Sequence, residues 1–122
     1  MKTILLVEGN PNQRELYEEL LAESGYDAVS ASNGEEAVLA VIATSPDLIV
    51  LGVGASREES AEALSRLLAI KPGTPAILNA AHMAWKDDFL SGVAKACLLK
   101  SSDTSELTKT IDRLLESAAP NR

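Results

Sequence analysis

Short apolar segments of strand length alternate with amphipathic segments of helix length along this 122-residue sequence, and this alternation constrains the fold more than any other feature. The strand-like segments are residues 3–7, 26–31, 48–51, 76–78 and 96–99. Each is followed by a segment with helical periodicity, the shortest near residues 85–91. Five strand–helix pairs in this order predict a parallel sheet with helices on both faces.

The predicted fold belongs to the α/β class. Right-handed crossovers leave few topologies for a chain of this length. We expect a flavodoxin-like, doubly wound sheet of five parallel strands in the order 2-1-3-4-5, with about five helices. Residues 1–117 form one domain in this interpretation, and residues 118–122 form a tail or the start of a linker. In such sheets the functional site lies beyond the carboxyl ends of the strands, where the strand order reverses.

Capping residues and apolar stripes predict where the helices begin and which side faces the core. Asn10 is expected to cap the first helix, with Pro11 at its first position. Ser32 with Glu35 has capping-box spacing before the second helix. Ser56 with Glu59 has the same spacing before the third. The predicted inward stripes of the first, second and last helices are Leu16, Leu20 and Leu21; Ala37, Val38, Val41 and Ile42; and Leu107, Ile111, Leu114 and Leu115.

Composition argues against several classes of function. The net charge is -7 and the 11 Lys and Arg residues are scattered, so no clustered basic face is available for nucleic acid. A single cysteine, Cys97, excludes an internal disulfide and fits a reducing cytoplasm. No apolar run is long enough to span a membrane, and the start of the chain does not resemble a signal peptide. We therefore expect a cytoplasmic domain.

Several segments, in the right order, resemble the receiver domain of bacterial response regulators of the chemotaxis-regulator kind. They read ILLVEGNPNQRELYEELLAESGYDAVSASNGEEAV, SPDLIVLG, TPAIL and LLKS. The resemblance implies a role in two-component phosphorelay signalling. In that family an acidic pair after the first strand binds magnesium, and an aspartate ending the third strand accepts a phosphoryl group. A Thr or Ser ends the fourth strand, and a Lys ends the fifth.

Position by position, most of this phosphorylation site is degenerate. Glu8 matches the first acidic residue, but Gly9 replaces the second. Gly52 stands at the phosphoacceptor position and offers no oxygen nucleophile, which phosphoryl transfer to a side chain requires. Ala80 replaces the hydroxyl residue, and Lys100 matches the family lysine. The resemblance therefore implies a pseudo-receiver that is not phosphorylated, binds no metal or other cofactor, and is not an enzyme.

A receiver without a phosphoacceptor is expected to act by binding proteins. A histidine kinase or a fused output domain are the candidate partners, and the domain itself is expected to be a monomer or a weak homodimer. Trp85, Phe89 and Cys97, which occupies the usual aromatic switch position, are candidate partner contacts. Core packing is the competing interpretation of all three side chains.

Two other functions remain open from the sequence. The vacated pocket around Lys100 could bind a small molecule or an anion, through backbone amides at its glycines. Against this, Glu8 competes for Lys100 as an ion-pair partner. The domain could also be an atypical receiver that is phosphorylated on another acid.

Overall fold

The computed structural model describes residues 1–53, 57–80, 94–99 and 104–118. Strands and helices alternate along these residues as the sequence predicts. They are β1 Thr3–Val7, α1 Pro11–Glu23, β2 Asp27–Ala31, α2 Gly34–Thr44, β3 Leu48–Val53, α3 Arg57–Ile70, β4 Ala76–Ala80, β5 Ala96–Leu99 and α4 Ser105–Ala118. Four helices are thus seen in the described part of the chain, while the helix predicted near residues 85–91 lies outside it. Helix α4 ends at Ala118, one residue beyond the predicted domain boundary.

The five strands form one parallel sheet. Its order is β2-β1-β3-β4-β5, which confirms the predicted order. The register places Val7 of β1 opposite Leu51 of β3, and Gly52 of β3 opposite Asn79 of β4. Because the strands are parallel, their carboxyl ends lie along the same edge of the sheet. The residues that follow β1 and those that end β3 and β4 are therefore neighbours in space.

The core consists of two layers, one on each face of the sheet. Helices α2 and α3 cover one face and helices α1 and α4 cover the other. Alternate residues of a strand point to opposite faces, so Leu5 and Val7 pack under α2 and α3, while Ile4 and Leu6 pack under α1 and α4. Burial on both faces explains why the central strands are almost continuously apolar.

Side-chain caps begin the first two helices. As predicted, the Asn10 side chain accepts hydrogen bonds from the backbone amides of the first turn of α1, and Pro11 is its first residue. The predicted cap of α2 is wrong by one residue, because Asn33 accepts from the Glu36 amide at 2.9 Å. The Glu36 carboxylate in turn accepts from the hydroxyl and the amide of Ser32, each at 2.7 Å, and these bonds hold its pKa below the ordinary value.

Helices α1 and α2 turn partly different residues toward the sheet from those predicted. Leu16 is 51% exposed, and Tyr17, at 4%, is the residue buried one turn before Leu21. In α2, Ile42 is 65% exposed, although Val41 is buried as predicted. Adjacent apolar residues are compatible with either of two neighbouring helix faces, and packing against the sheet decides between them. Among the described helices, none has the length and apolar character required to cross a membrane.

A hydrogen bond joins the start of β2 to α4. The Tyr26 hydroxyl donates to the carboxylate of Asp112. Burial, followed by this bond and by the negative charges of Asp112 and Glu116, raises the pKa of Tyr26 to about 12 from its ordinary value of 10.0. A phenol with a raised pKa in the folded state contributes stability that is fully present below pH 10.0 and is lost as the pH rises toward about 12.

An alkaline titration is expected to resolve this tyrosine. In the folded wild-type chain, the phenolate absorbance of Tyr26 should appear with a pKa of about 12. Tyr26→Phe should remove that step, and Asp112→Asn should move it toward lower pH because both the hydrogen bond and the negative charge change. Asp27→Asn, which alters a charge that is not among the causes of this shift, is the control. A Tyr26 step that is insensitive to Asp112→Asn would contradict the assignment.

Candidate functional site

The carboxyl ends of β1, β3 and β4 bring together four of the residues predicted as a site. Glu8 and Gly9 directly follow β1, Gly52 is the penultimate residue of β3, and Ala80 ends β4. The Glu8 amide donates to the Ala31 carbonyl of β2 at 2.9 Å, so the strand pairing extends to the site itself. The end of β1, where Glu8 begins the site, is therefore held by β2 on one side and by β3 on the other.

Glu8 is the one carboxylate among these four residues. Its side chain is buried, with 4% of its surface exposed. Its Oε2 atom accepts a hydrogen bond from the Asn10 amide at 3.1 Å, and its backbone carbonyl accepts one from the Arg14 guanidinium at 3.0 Å. The carboxylate is therefore held against the first turn of α1 and does not project into solvent.

Gly52 lies directly against the Glu8 carboxylate. A Cβ atom with ideal geometry on Gly52 would lie 2.4 Å from Glu8 Oε1 and 3.1 Å from the Val7 carbonyl oxygen. The same construction on Gly9 meets only the Ser32 carbonyl oxygen, at an ordinary 3.5 Å. Gly9 thus has room for a side chain, whereas at Gly52 that room is taken by Glu8.

Of the remaining predicted site residues, the structure describes Ala80 and Cys97. Ala80 is 1% exposed and belongs to the core layer under α2 and α3, where it has no polar group to offer. Cys97 is half-buried in β5 opposite Leu78 and packs against the same layer. Lys100 and the candidate partner contacts Trp85 and Phe89 lie outside the described residues.

A cavity of about 510 Å³ opens beside Gly9 and Gly52, between the start of α2 and the facing side of α3. Val7, Leu51 and Ala63 form its apolar wall. Its charged lining consists of Glu35, Glu59, Glu62 and Arg66, which is three acids against one base. No motif identifies this lining in the sequence. The one signal for it is the i, i+3, i+7 spacing of residues 59, 62 and 66, which places them on one face of a helix.

The residues at this edge do not fit the magnesium ion that the family resemblance implies. Magnesium requires near-octahedral oxygen ligands, normally including one or two carboxylates. Gly9 and Gly52 contribute no side-chain oxygen, which leaves Glu8 as the one carboxylate among the predicted site residues that the structure describes. Within the described ranges, no group of three or more His, Cys, Asp or Glu residues is placed to hold a metal ion. The absence of metal binding stays a prediction.

Comparison with known proteins identifies the family. Residues 4–112 match the family model of the response regulator receiver domain. The chain therefore belongs to this family, whose members act in two-component signal transduction, and the flavodoxin-like fold expected from the sequence is confirmed. No protein with a curated function matches the chain.

Solved structures of receiver domains resemble it closely. The response regulator TrrA from Thermotoga maritima, in complex with Mg(2+)-BeF, shares 32% identity, with a TM-score of 0.86 over 93% of this chain and 99% of that chain. TrrA in complex with the histidine kinase ThkA shares 33% identity, with a TM-score of 0.84 over 94% of this chain and 99% of that chain. The chemotaxis protein CheY4 from Vibrio cholerae, at 21% identity and a TM-score of 0.83 over 93% of this chain and 98% of that chain, shows the shared fold alone.

Proposed function

We propose that this receiver domain is a pseudo-receiver that binds protein partners without being phosphorylated. The observation that carries the proposal is Gly52, which stands near the end of β3, where the family places its phosphoacceptor aspartate. An acyl phosphate forms when a carboxylate oxygen attacks phosphorus, and glycine has no side chain to supply that oxygen. The domain would thus signal by association alone and catalyse no reaction.

The other residues of the edge support the same proposal. Gly9 removes the second acidic residue of the family, and Ala80 removes the hydroxyl that would contact a bound phosphoryl group. Lys100 is retained in the sequence, but a lysine by itself provides neither nucleophile nor metal ligand. Nucleophile, metal ligand and hydroxyl are therefore missing together, which is what we expect of a site no longer used for phosphoryl transfer.

A histidine kinase is the first candidate partner, because TrrA, at 33% identity, is found in complex with the histidine kinase ThkA. A fused output domain is the second. Trp85, Phe89 and Cys97 remain the proposed contacts. Aromatic residues such as Trp85 are enriched among those that contribute most to binding, and Cys97 occupies the usual aromatic switch position of the family. The scattered basic residues support a protein partner over nucleic acid.

The electrostatics of the described cavity disfavour the alternative function as an anion sensor. Three glutamates face one arginine in its charged lining, and the Glu8 carboxylate lies beside Gly52 at its edge. An anion entering from the described side would meet an excess of negative charge. We therefore retain protein binding as the proposed function of this domain.

Affinity capture from the source cell tests this proposal. Immobilised wild-type domain is expected to retain the same partner whether or not acetyl phosphate is present, because no second state can be favoured by a phosphoryl group that never attaches. Gly52→Asp tests whether the acceptor position matters to the interface, and Trp85→Ala should weaken capture if that ring is a contact. Lys2→Ala, a substitution at the opposite end of β1, is the matched control. Capture by the wild-type domain only after phosphodonor treatment would overturn the proposal.

A further inference from the structure

Three large apolar side chains are exposed on the helix layer formed by α2 and α3. Leu39 and Ile42 of α2 are 68% and 65% exposed, and Ile70, the last residue of α3, is 41% exposed. Helix α2 turns Ala37 and Val41 toward the core. Leu39, midway between them in the sequence, therefore points directly away from the sheet. Leu39, Ile42 and Ile70 are called the α2–α3 patch below.

Contacts at both ends of the two helices bring the members of this patch together. An ideal Cβ on Gly34, at the start of α2, would lie 3.3 Å from the Cβ of Ala63 in α3. At the other end, the Lys71 ammonium, directly after α3, donates to the Ser45 carbonyl at 2.9 Å and also to the Pro46 carbonyl. The helices therefore run side by side in the same direction, and both isoleucines of the patch lie toward their carboxyl ends.

We infer that the α2–α3 patch is a self-association surface, on which a second copy of this chain packs with its α2 antiparallel to the first. A twofold interface is self-complementary, so every contact in it occurs twice. Leu39 of one copy, placed against Ile42 of the other, removes both side chains from water in both copies. Antiparallel pairing also sets the positive end of each helix dipole beside the negative end of the other. Self-association of this kind goes beyond the proposed function and does not depend on it.

The charges at the two ends of α2 are complementary in this arrangement. With Leu39 opposite Ile42, the exposed Glu35, one turn before Leu39, lies at the level of Pro46 in the other copy. The last turn of α2 contains no basic residue, but the Lys71 ammonium is held there by the carbonyls to which it donates. An ammonium has three N–H donors, and these two carbonyls accept two of them. Each Glu35 carboxylate thus meets a cation of the second copy.

The size of the surface and the net charge of the chain predict a weak dimer. Helix α2 has 11 residues and is about 16 Å long, whereas a standard interface buries about 800 Å² per partner. Two copies with a net charge of -7 each also repel. At physiological ionic strength this repulsion is screened beyond about 8 Å, while charges in close contact are screened less. We therefore expect a dissociation constant on the order of 100 μM.

Sedimentation equilibrium of the full chain, from about 10 μM to about 1 mM at physiological ionic strength, tests the surface. The wild-type chain is expected to change from monomer to dimer over this range. Leu39→Ser should raise the dissociation constant about tenfold or more, because the apolar side chain is lost from the interface twice. Leu16→Ser, the same change at a 51% exposed position of α1, is the control and should leave the constant nearly unchanged. Circular dichroism should show that both variants keep the wild-type fold, since both positions are exposed.

Glu35→Lys tests the antiparallel register. It should raise the dissociation constant about fivefold, because two attractions between the copies become repulsions. Glu23→Lys makes the same charge change at an exposed position of α1, so it should leave the constant unchanged or lower it by reducing the net charge. A wild-type chain that stays monomeric at about 1 mM would contradict self-association and would assign the patch to an unlike protein. Equal effects of Leu39→Ser and Leu16→Ser, or of Glu35→Lys and Glu23→Lys, would equally overturn the inference.

Discussion

The wild-type chain is expected to take up no phosphoryl group when it is incubated with acetyl phosphate and magnesium. Gly52 supplies no oxygen, and the nearby Glu8 carboxylate is buried and bonded to the Asn10 amide. Among the residues that the structure describes, no group of three or more His, Cys, Asp or Glu residues could hold the metal ion that positions the phosphoryl group, and positioning supplies most of the acceleration in this chemistry. Intact-mass spectrometry of the treated protein should show one species with the mass of the untreated chain.

The matched variant carries Gly9→Asp together with Gly52→Asp. It restores the second acidic residue and the acceptor aspartate that the family uses and keeps Glu8 as the first acidic residue, so a phosphorylated species should become detectable. A receiver domain that retains its aspartate serves as the positive control for the phosphodonor. Stoichiometric, hydroxylamine-sensitive labelling of the wild-type chain would refute the proposed pseudo-receiver and would point to an atypical acceptor.

Ile77→Ala is expected to cause the largest loss of stability among single apolar substitutions considered for this chain. Ile77 is fully buried in β4, and it pairs with Val50 of β3 and Ala96 of β5. Truncating a buried isoleucine to alanine costs about 2–5 kcal/mol, because apolar burial is lost and a cavity remains. That is a large share of the roughly 5–15 kcal/mol that stabilises a typical domain. Urea-induced unfolding followed by circular dichroism measures the change.

Ile42→Ala is the control for this substitution, since it makes the same chemical change on the outer side of α2. Ile42 is 65% exposed, and alanine has the higher helix propensity, so the free energy of unfolding should change by less than about 0.5 kcal/mol. Similar losses for the two variants would mean that the two-layer core described above does not carry the stability of the domain.

The order of strands and helices was predictable from the sequence because it depends on local patterns. Buried strands of a parallel sheet are continuously apolar, and helices show a 3.6-residue period, so β1 and β3 could be identified without any long-range information. Asn10 and Pro11 marked the start of α1 correctly, because an N-cap followed by proline satisfies helix-end geometry within a few residues.

The rotation of the helices and the exact cap of α2 were less predictable. Periodicity gives the spacing between the buried residues of a helix but only coarsely which side of the helix they occupy. Leu16 and Tyr17 are adjacent apolar residues, and packing against the sheet buries Tyr17. Ser32 and Asn33 are both good capping residues, each followed three residues later by a glutamate. The path of the chain after β2, which ends at Ala31, makes Asn33 the N-cap of α2.

For the candidate site, too, some features could be predicted from the sequence and others required the tertiary structure. The sequence by itself determined which groups it lacks, because the absence of a carboxylate at Gly9 and Gly52 and of a hydroxyl at Ala80 needs only an alignment with the family. Only the tertiary structure decided that the Glu8 carboxylate lies against Gly52, and that a cavity opens between α2 and α3. Such contacts depend on how parallel strands are set in register and how helices are rotated, and these follow from packing of the whole core, which no local pattern encodes.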